Sequence, residues 1–173
     1  ERVQHGGKGL IGMVHCLPLP GTFRADTTIR QVVDRAVSDA KALQDAGFDA
    51  LIVENEDKCT APKLTMAQIT ALSIVVMAVR DAVRLPIGLS CGSLNYEFAF
   101  SLAKIADCQF VRVPVFVDTV MNHTGIVTPC SQQVVHCRKM VGAEDIKIFA
   151  DVQVKHYYML NPNIPITASA DWA

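Results

Sequence analysis

The segment 147–156, with the sequence KIFADVQVKH, has the two-residue alternation of a β-strand whose two faces differ in chemistry. One face is apolar, and the other carries Lys147, Phe149, Asp151, Gln153 and Lys155. The strands predicted elsewhere in the chain are almost wholly apolar, which is typical of a parallel sheet covered by helices. A strand of such a sheet with Asp, Gln and Lys on one face is expected to direct them into a site. The alternative is an edge strand with one face in water.

Strand and helix patterns alternate along the rest of the chain. Strands are predicted at 10–16, 48–53, 86–89 and 110–115, and the segment 147–156 is the fifth. Capping boxes start two helices, at Thr28 with Gln31 and at Thr65 with Gln68. Two more helices are predicted, one from about Asn95 and one beginning near Pro129. A long loop joins the fourth strand to the last of these helices. The tail after His156 is predicted to contain no strand and to begin a helix near Ser169.

This β-α alternation predicts an α/β fold with a parallel sheet and right-handed crossovers. Two architectures compete: a five-stranded doubly wound sheet, complete at this length, and a (β/α)8 barrel of the TIM type with about five of its eight units. We favour the barrel, as a single domain over 1–173 in truncated or partial form, because the tail resembles an interrupted pattern more than a finished fold.

Composition excludes several classes of function. The net charge is −1 without a basic patch, which argues against a nucleic-acid surface. The longest apolar run, 74–79, is too short for a transmembrane segment, and the first residues do not resemble a secretory signal. The six cysteines include no CxxC pair, which favours reduced thiols in an intracellular, cytoplasmic protein, with an organellar location also open. No strand-to-helix turn carries a nucleotide-binding glycine motif.

Polar and ionisable residues gather at the carboxyl ends of the predicted strands, where parallel α/β folds place their active sites. The residues at these positions are His15, Glu54, Asn55, Ser90, Cys91, Arg112, Asp151, Lys155 and His156. A buried Asp151 needs a partner, and Arg112 and Lys155 are its natural partners or the binding groups for a ligand phosphate or carboxylate. Each has a structural alternative: a packing histidine, a solvated loop carboxylate or an ion pair inside a barrel. Cys91 is a weak candidate nucleophile.

Four motifs resemble the BtpA/SgcQ family: LIGMVHCLPLPG at 10–21, ALIVEN at 50–55, FVRVPV at 110–115 and IKIFADVQVKH at 146–156. The resemblance implies a TIM barrel similar to phosphate-binding barrels. It also implies three further strands, the last with glycine-rich phosphate-binding turns. One member is linked to photosystem I assembly and another lies in a sugar-utilisation gene cluster. The biochemical activity of the family is poorly defined.

The chain departs from the family pattern at three places. Pro114 and Gln153 stand where the pattern has Asn and His, and SCGSLN at 90–95 replaces a turn richer in Asn and Arg. These changes remove hydrogen-bond donors and a titratable group from the predicted site.

We therefore expect an enzyme or former enzyme that acts on a small phosphorylated or sugar-like metabolite. His15, Glu54 and Asp151 are the acid/base or metal-binding candidates, with a divalent cation of unknown identity as the cofactor considered. Arg112 and Lys155 would hold an anion, and Asn55 and His156 would orient the ligand. The rival function is a non-catalytic assembly or stability factor. Exposed edges of strands one and five would favour a homo-oligomer.

Overall fold

The computed structural model describes residues 8–22, 24–55, 63–92, 94–122 and 125–173. Cys59, one of the six cysteines, lies outside these ranges. In chain order the elements are β1 (Ile11–His15), α1 (Ile29–Asp45), β2 (Ala50–Glu54), α2 (Met66–Ala82), β3 (Ile87–Ser90), α3 (Tyr96–Ile105), β4 (Phe110–Val113), β5 (Val120–Asn122), β6 (Gly125–Val127), α4 (Ser131–Met140), β7 (Lys147–Ala150), β8 (Tyr158–Met159) and α5 (Ile166–Trp172).

The main sheet has five parallel strands in the order β1-β2-β3-β4-β7, so spatial order follows chain order. With right-handed crossovers, this order places all the connecting helices on one face of the sheet. A doubly wound sheet would instead reverse its order at a switch point. The sheet therefore has the singly wound order, and the doubly wound alternative is excluded.

Helices α1 and α2 begin where the sequence predicts. The Thr28 hydroxyl accepts a hydrogen bond from Gln31 N at 3.3 Å, while Gln31 Oε1 accepts one from Thr28 N at 2.8 Å. Thr65 and Gln68 repeat the arrangement at α2. Each box satisfies two backbone donors that a helix start would otherwise leave unpaired. Pro129 differs from its prediction, because it precedes the N-cap residue Cys130 and does not lie in the first turn of α4.

The hydrophobic core lies between the sheet and the helices. Strand residues that alternate along the chain, among them Val14, Val53, Leu89 and Val111, are fully or almost fully buried there. A Cβ at Gly12 would meet Leu43 of α1, which confirms the direction in which this face of β1 points. The opposite face, which we call the inner face, carries the other half of each strand.

The inner face is apolar in its middle and polar at the carboxyl ends of the strands. Phe110 pairs with Gly88 in register, and its ring occupies the space that a side chain at Gly88 would need. The same ring stacks on Phe149 of β7 with a centroid separation of 4.3 Å. This aromatic pair forms the floor beneath the polar end of the inner face.

The predicted fifth strand is shorter than 147–156. The ladder ends at Ala150, although Asp151 N still donates to the carbonyl of Val113 at 3.0 Å. The backbone then enters the left-handed region at Gln153 (φ 50°) and His156 (φ 67°), which breaks the extended conformation. The prediction of one alternating strand as far as His156 is therefore wrong.

A second, antiparallel sheet of three short strands, β6-β5-β8, is also absent from the sequence prediction. The hairpin β5-β6 replaces part of the predicted long loop after the fourth strand. Strand β8 lies in the tail, where no strand is predicted. Helix α5 follows it, with Ser169 buried in its middle and not at its start. None of the helices in the described ranges combines the length and the apolar composition that a membrane span requires.

Candidate functional site

The register of the sheet places one side chain from each strand in a row across its carboxyl end. His15 pairs with Glu54, Glu54 with Ser90, Ser90 with Arg112, and Arg112 with Phe149. All of these positions belong to the inner face. Asp151 follows Phe149 by two residues and joins the same row from the end of β7.

Arg112 forms ion pairs with carboxylates on both sides. Its Nε donates to Asp151 Oδ1 at 3.0 Å and its Nη2 donates to Asp151 Oδ2 at 2.7 Å, which makes the pair bidentate. Its Nη1 lies 3.4 Å from Glu54 Oε1. The predicted pairing of Arg112 with Asp151 is thus present in the structure.

Glu54 contacts more members of the row than any other of the described side chains. Its Oε1 accepts a hydrogen bond from the Ser90 hydroxyl at 2.7 Å as well as the contact from Arg112. Its Oε2 lies 3.5 Å from Nε2 of His15. We call His15, Glu54, Ser90, Arg112 and Asp151 the rim network, since each contacts at least one other member and all lie at the carboxyl ends of the strands.

The charged side chains of the rim network are mostly buried, and carboxylates and guanidinium lie next to each other. The side chains of Glu54, Asp151 and Arg112 are 17, 21 and 24% exposed, whereas that of His15 is 47% exposed. The hydrogen bond to Asp151 is the main cause that raises the pKa of Arg112, and Glu54 adds to it, while burial opposes both. With His15 neutral, two carboxylates and one guanidinium leave a formal charge of −1.

Asn55 continues β2 at the next position. Its Oδ1 is buried and accepts no hydrogen bond from the described residues. A buried carbonyl oxygen without a donor is unfavourable, so this atom is available to a ligand or a water molecule.

The structure does not bring Lys155 and His156 into the rim network. Both are exposed in the turn after β7, and no ion pair joins Lys155 to Asp151 within the described ranges. The left-handed turn at Gln153 explains the difference, because side chains beyond it no longer follow the alternation of β7. As for a metal, the described residues contain no group of three His, Cys, Asp or Glu side chains that could hold one.

The cysteines near the site are not activated. Burial, and then the charges of nearby groups including Glu54, raises the pKa of Cys91, and the same two causes raise the pKa of Cys16 to about 12. Both shifts disfavour the thiolate, which argues against Cys91 as a nucleophile.

The sequence places Ser90 at the end of the third strand but does not predict its contact with Glu54. The signal for it is the common level at which the strands end, because the last inward residue of each strand then faces the site. Asp118, whose carboxylate accepts hydrogen bonds from Gln153 N and the Ser169 hydroxyl, has no comparable signal, since it lies in a predicted loop.

Comparison with known proteins gives the family and the fold. Residues 6–170 match the model of the BtpA family. An uncharacterised protein of Methanocaldococcus jannaschii is 35% identical over 155 residues, which cover 87% of this chain and 58% of the relative. The photosystem I biogenesis protein BtpA of Synechocystis is 30% identical over 158 residues, which cover 90% of this chain and 55% of the relative. The chain thus spans little more than half the length of these relatives.

Among solved structures, dihydropteroate synthase of Xanthomonas albilineans, a TIM barrel, resembles the chain with a TM-score of 0.55 at 14% identity. The likeness covers 81% of this chain and 44% of that one, and at this identity it concerns the fold alone. It agrees with the singly wound parallel sheet. The match of the family model over nearly the whole sequence shows that the chain belongs to the BtpA family.

Proposed function

We propose that the rim network is the active site of an enzyme that acts on a small phosphorylated or sugar-like metabolite. The observation that carries the proposal is the convergence of three polar side chains, from three neighbouring strands, on one carboxylate, Glu54. A purely structural role would be met by the ion pair of Arg112 with Asp151. The row also places His15 and Oε2 of Glu54 side by side on the inner face, above the aromatic floor.

The proposed roles follow from the contacts. Glu54 and His15 form the acid/base pair, because their side chains lie 3.5 Å apart and His15 is half exposed, so a ligand beside His15 can exchange a proton with either group. Arg112 and Asp151 position Glu54 through the bidentate pair, and Asp151 stays a second candidate for proton transfer. Asn55 orients the ligand through its unpaired oxygen. Lys155 and His156 are assigned to ligand contact from the exposed turn after β7.

We further propose that the chain is a single domain, 1–173, that forms about five of the eight units of a TIM barrel. The sequential strand order and the likeness to dihydropteroate synthase support this architecture. It would place the rim network at the end of the barrel where enzymes of this fold carry out their chemistry.

A second candidate function is a non-catalytic assembly or stability factor. It is favoured by the relative from Synechocystis, which is called a photosystem I biogenesis protein. In this case the rim network would be a structural ion-pair cluster, and no small molecule would bind to it.

A thermal melt of this chain separates the two functions. The melt is recorded alone and with sugars, sugar phosphates, nucleotides and divalent cations. A ligand that binds only the folded state adds about 2.7 kcal/mol at a hundred times its Kd, and the midpoint rises accordingly.

The Glu54→Gln variant should lose most of that ligand-dependent shift. Glu144→Gln is the matched control, because Glu144 is exposed and precedes β7 at the opposite end of the sheet. A shift that survives in Glu54→Gln would contradict the assignment of the rim network. A cooperative melt that no compound shifts would favour the assembly factor.

A further inference from the structure

We infer that the rim network binds its ligand through hydroxyl groups, as a sugar or another polyol presents them, and does not bind a phosphate at Arg112. The inference rests on the proposed function, because it names the chemical class that the same site accepts. It also reverses the expected use of Arg112, which the sequence suggested as an anion-binding residue.

The donors of Arg112 are largely occupied. A guanidinium carries five N–H donors, and three of them already point to carboxylate oxygens of Asp151 and Glu54. Two of these donors, Nε and Nη2, form a planar fork that already binds both oxygens of Asp151. A phosphate that bound in bidentate geometry would need the same fork. A phosphate could take this fork in bidentate geometry only by displacing a carboxylate that is itself mostly buried.

The polar atoms that remain open are hydrogen-bond acceptors. Among the described residues, Oε2 of Glu54 lies 3.5 Å from Nε2 of His15, and Oδ1 of Asn55 is buried without a donor. A phosphate dianion has no proton to offer either oxygen, whereas a hydroxyl group donates one. Adjacent hydroxyl groups of a polyol would satisfy both oxygens.

Charge supports the same class of ligand. The rim network has a formal charge of −1 when His15 is neutral and zero when it is protonated, so its net charge does not favour a dianion. Lys147 is level with Phe110 on the inner face, below the row. Lys155 is exposed in the turn after β7 and lies outside the rim network.

The test compares free polyols with their phosphate esters on this chain. Ribose and ribose 5-phosphate, glucose and glucose 6-phosphate, and inositol and inositol phosphate are titrated by calorimetry, with inorganic phosphate as the anion probe. Arg112 should give an ester no advantage over its free polyol, so any tighter binding of an ester should survive in Arg112→Gln. Glu54→Gln should weaken polyol binding by roughly tenfold or more, since it removes a charged acceptor.

NMR of the arginine Nε–H signals provides a direct view of Arg112. Inorganic phosphate should leave the Arg112 signal of the wild-type protein unmoved and should shift it in Asp151→Ala, where the fork is open. A cooperative melt of Asp151→Ala establishes that this variant is folded. Asp151→Asn, which keeps the shape of the side chain, is the second variant should Asp151→Ala unfold.

The outcomes are distinguishable. Tighter binding of the esters that is lost in Arg112→Gln would overturn the inference and leave the proposed function in place. The same advantage lost in Lys155→Gln but kept in Arg112→Gln would support it, because the phosphate then lies outside the rim network. No binding in either series would count against the proposed small-molecule site, and the inference would fail with it.

Discussion

Gly88 is constrained by a neighbouring ring and not by its backbone conformation. A Cβ placed on it would overlap the ring of Phe110. The ring is held in turn by its stack on Phe149. The stacking of Phe110 on Phe149 under the rim network therefore requires a glycine at position 88 of β3.

We expect Gly88→Ala to lower the free energy of unfolding by about 1–3 kcal/mol, because the added methyl displaces Phe110. Urea denaturation measures the change. Adding Phe110→Leu should recover part of the loss, since the smaller side chain makes room. Strictly additive effects of the two substitutions would contradict a direct contact.

The thiol of Cys16 should make the free energy of unfolding depend on pH in the alkaline range. Burial, helped by the charge of Glu54, raises its pKa from 9.0 to about 12 in the folded protein. The folded state thus favours the protonated thiol, so this contribution is complete below pH 9 and is lost as the pH rises towards 12.

The free energy of unfolding should therefore fall less steeply above pH 9 in Cys16→Ala than in the wild-type protein. Cys137→Ala is the control, because Cys137 is also a partly exposed thiol but its pKa is raised less, so its removal should change the slope less. Equal slopes for the wild-type protein and Cys16→Ala would refute the argument.

At the scale of elements, one buried carboxylate fixes the segment after β7. Asp118 accepts hydrogen bonds from the backbone of Gln153 at 2.8 Å and from the hydroxyl of Ser169 at 2.7 Å. The side chain of Gln153 donates in turn to the carbonyl of Ile164 at 2.9 Å. These contacts hold helix α5 and the left-handed turn against the loop that follows β4.

Ser169→Ala should destabilise the protein by about 1–3 kcal/mol, because it leaves an oxygen of Asp118 buried without a donor. Thr167→Ala is the matched control, since it removes an exposed hydroxyl from the same helix. Denaturant unfolding gives the stability, and hydrogen exchange should show faster opening of α5 in Ser169→Ala alone. Equal effects of both substitutions would rule out a specific role for Asp118.

The sequence predicted the elements whose signals are local. Capping boxes located the starts of α1 and α2, and apolar runs located the five parallel strands within a few residues. It did not predict the turn at Gln153, because an alternating pattern is typical of a strand whether or not the backbone completes it. The strands β5, β6 and β8 have two or three residues each, too few for a period to be recognised.

The candidate site was predicted in part for the same reason. The predicted strand ends placed His15, Glu54, Arg112 and Asp151 in the site, and the structure brings these four side chains together. The prediction for Lys155 and His156 required the fifth strand to continue to position 156, but that strand ends at Ala150. The use of Ser90 as a donor to Glu54 required the register between β2 and β3, which no single strand reveals.

At the scale of the whole molecule, the main sheet has two outer strands. Within the described residues, β1 pairs only with β2 and β7 pairs only with β4. The inner face next to these edges exposes Ile11 by 39% and Phe149 by 38%. Unpaired edges beside apolar side chains favour association with a second copy.

We predict that this chain forms oligomers, and that Ile11→Lys weakens them by placing a charge beside the edge of β1. Sedimentation velocity over a range of protein concentrations measures the association. Ile105→Lys is the control, because Ile105 is 74% exposed but lies at the end of α3, on the helical side. A wild-type chain that stays monomeric at every concentration would refute the prediction.

The central position of Glu54 also has an evolutionary consequence. Its carboxylate contacts side chains from three other strands. A substitution at this position would remove one of the two carboxylates beside Arg112 and the acceptor of the Ser90 hydroxyl. Substitutions at 54, 90 and 112 should therefore arise together among relatives, with a change at one position followed by compensation at the others. An alignment of the family would test whether these three positions co-vary while the exposed positions 155 and 156 drift independently.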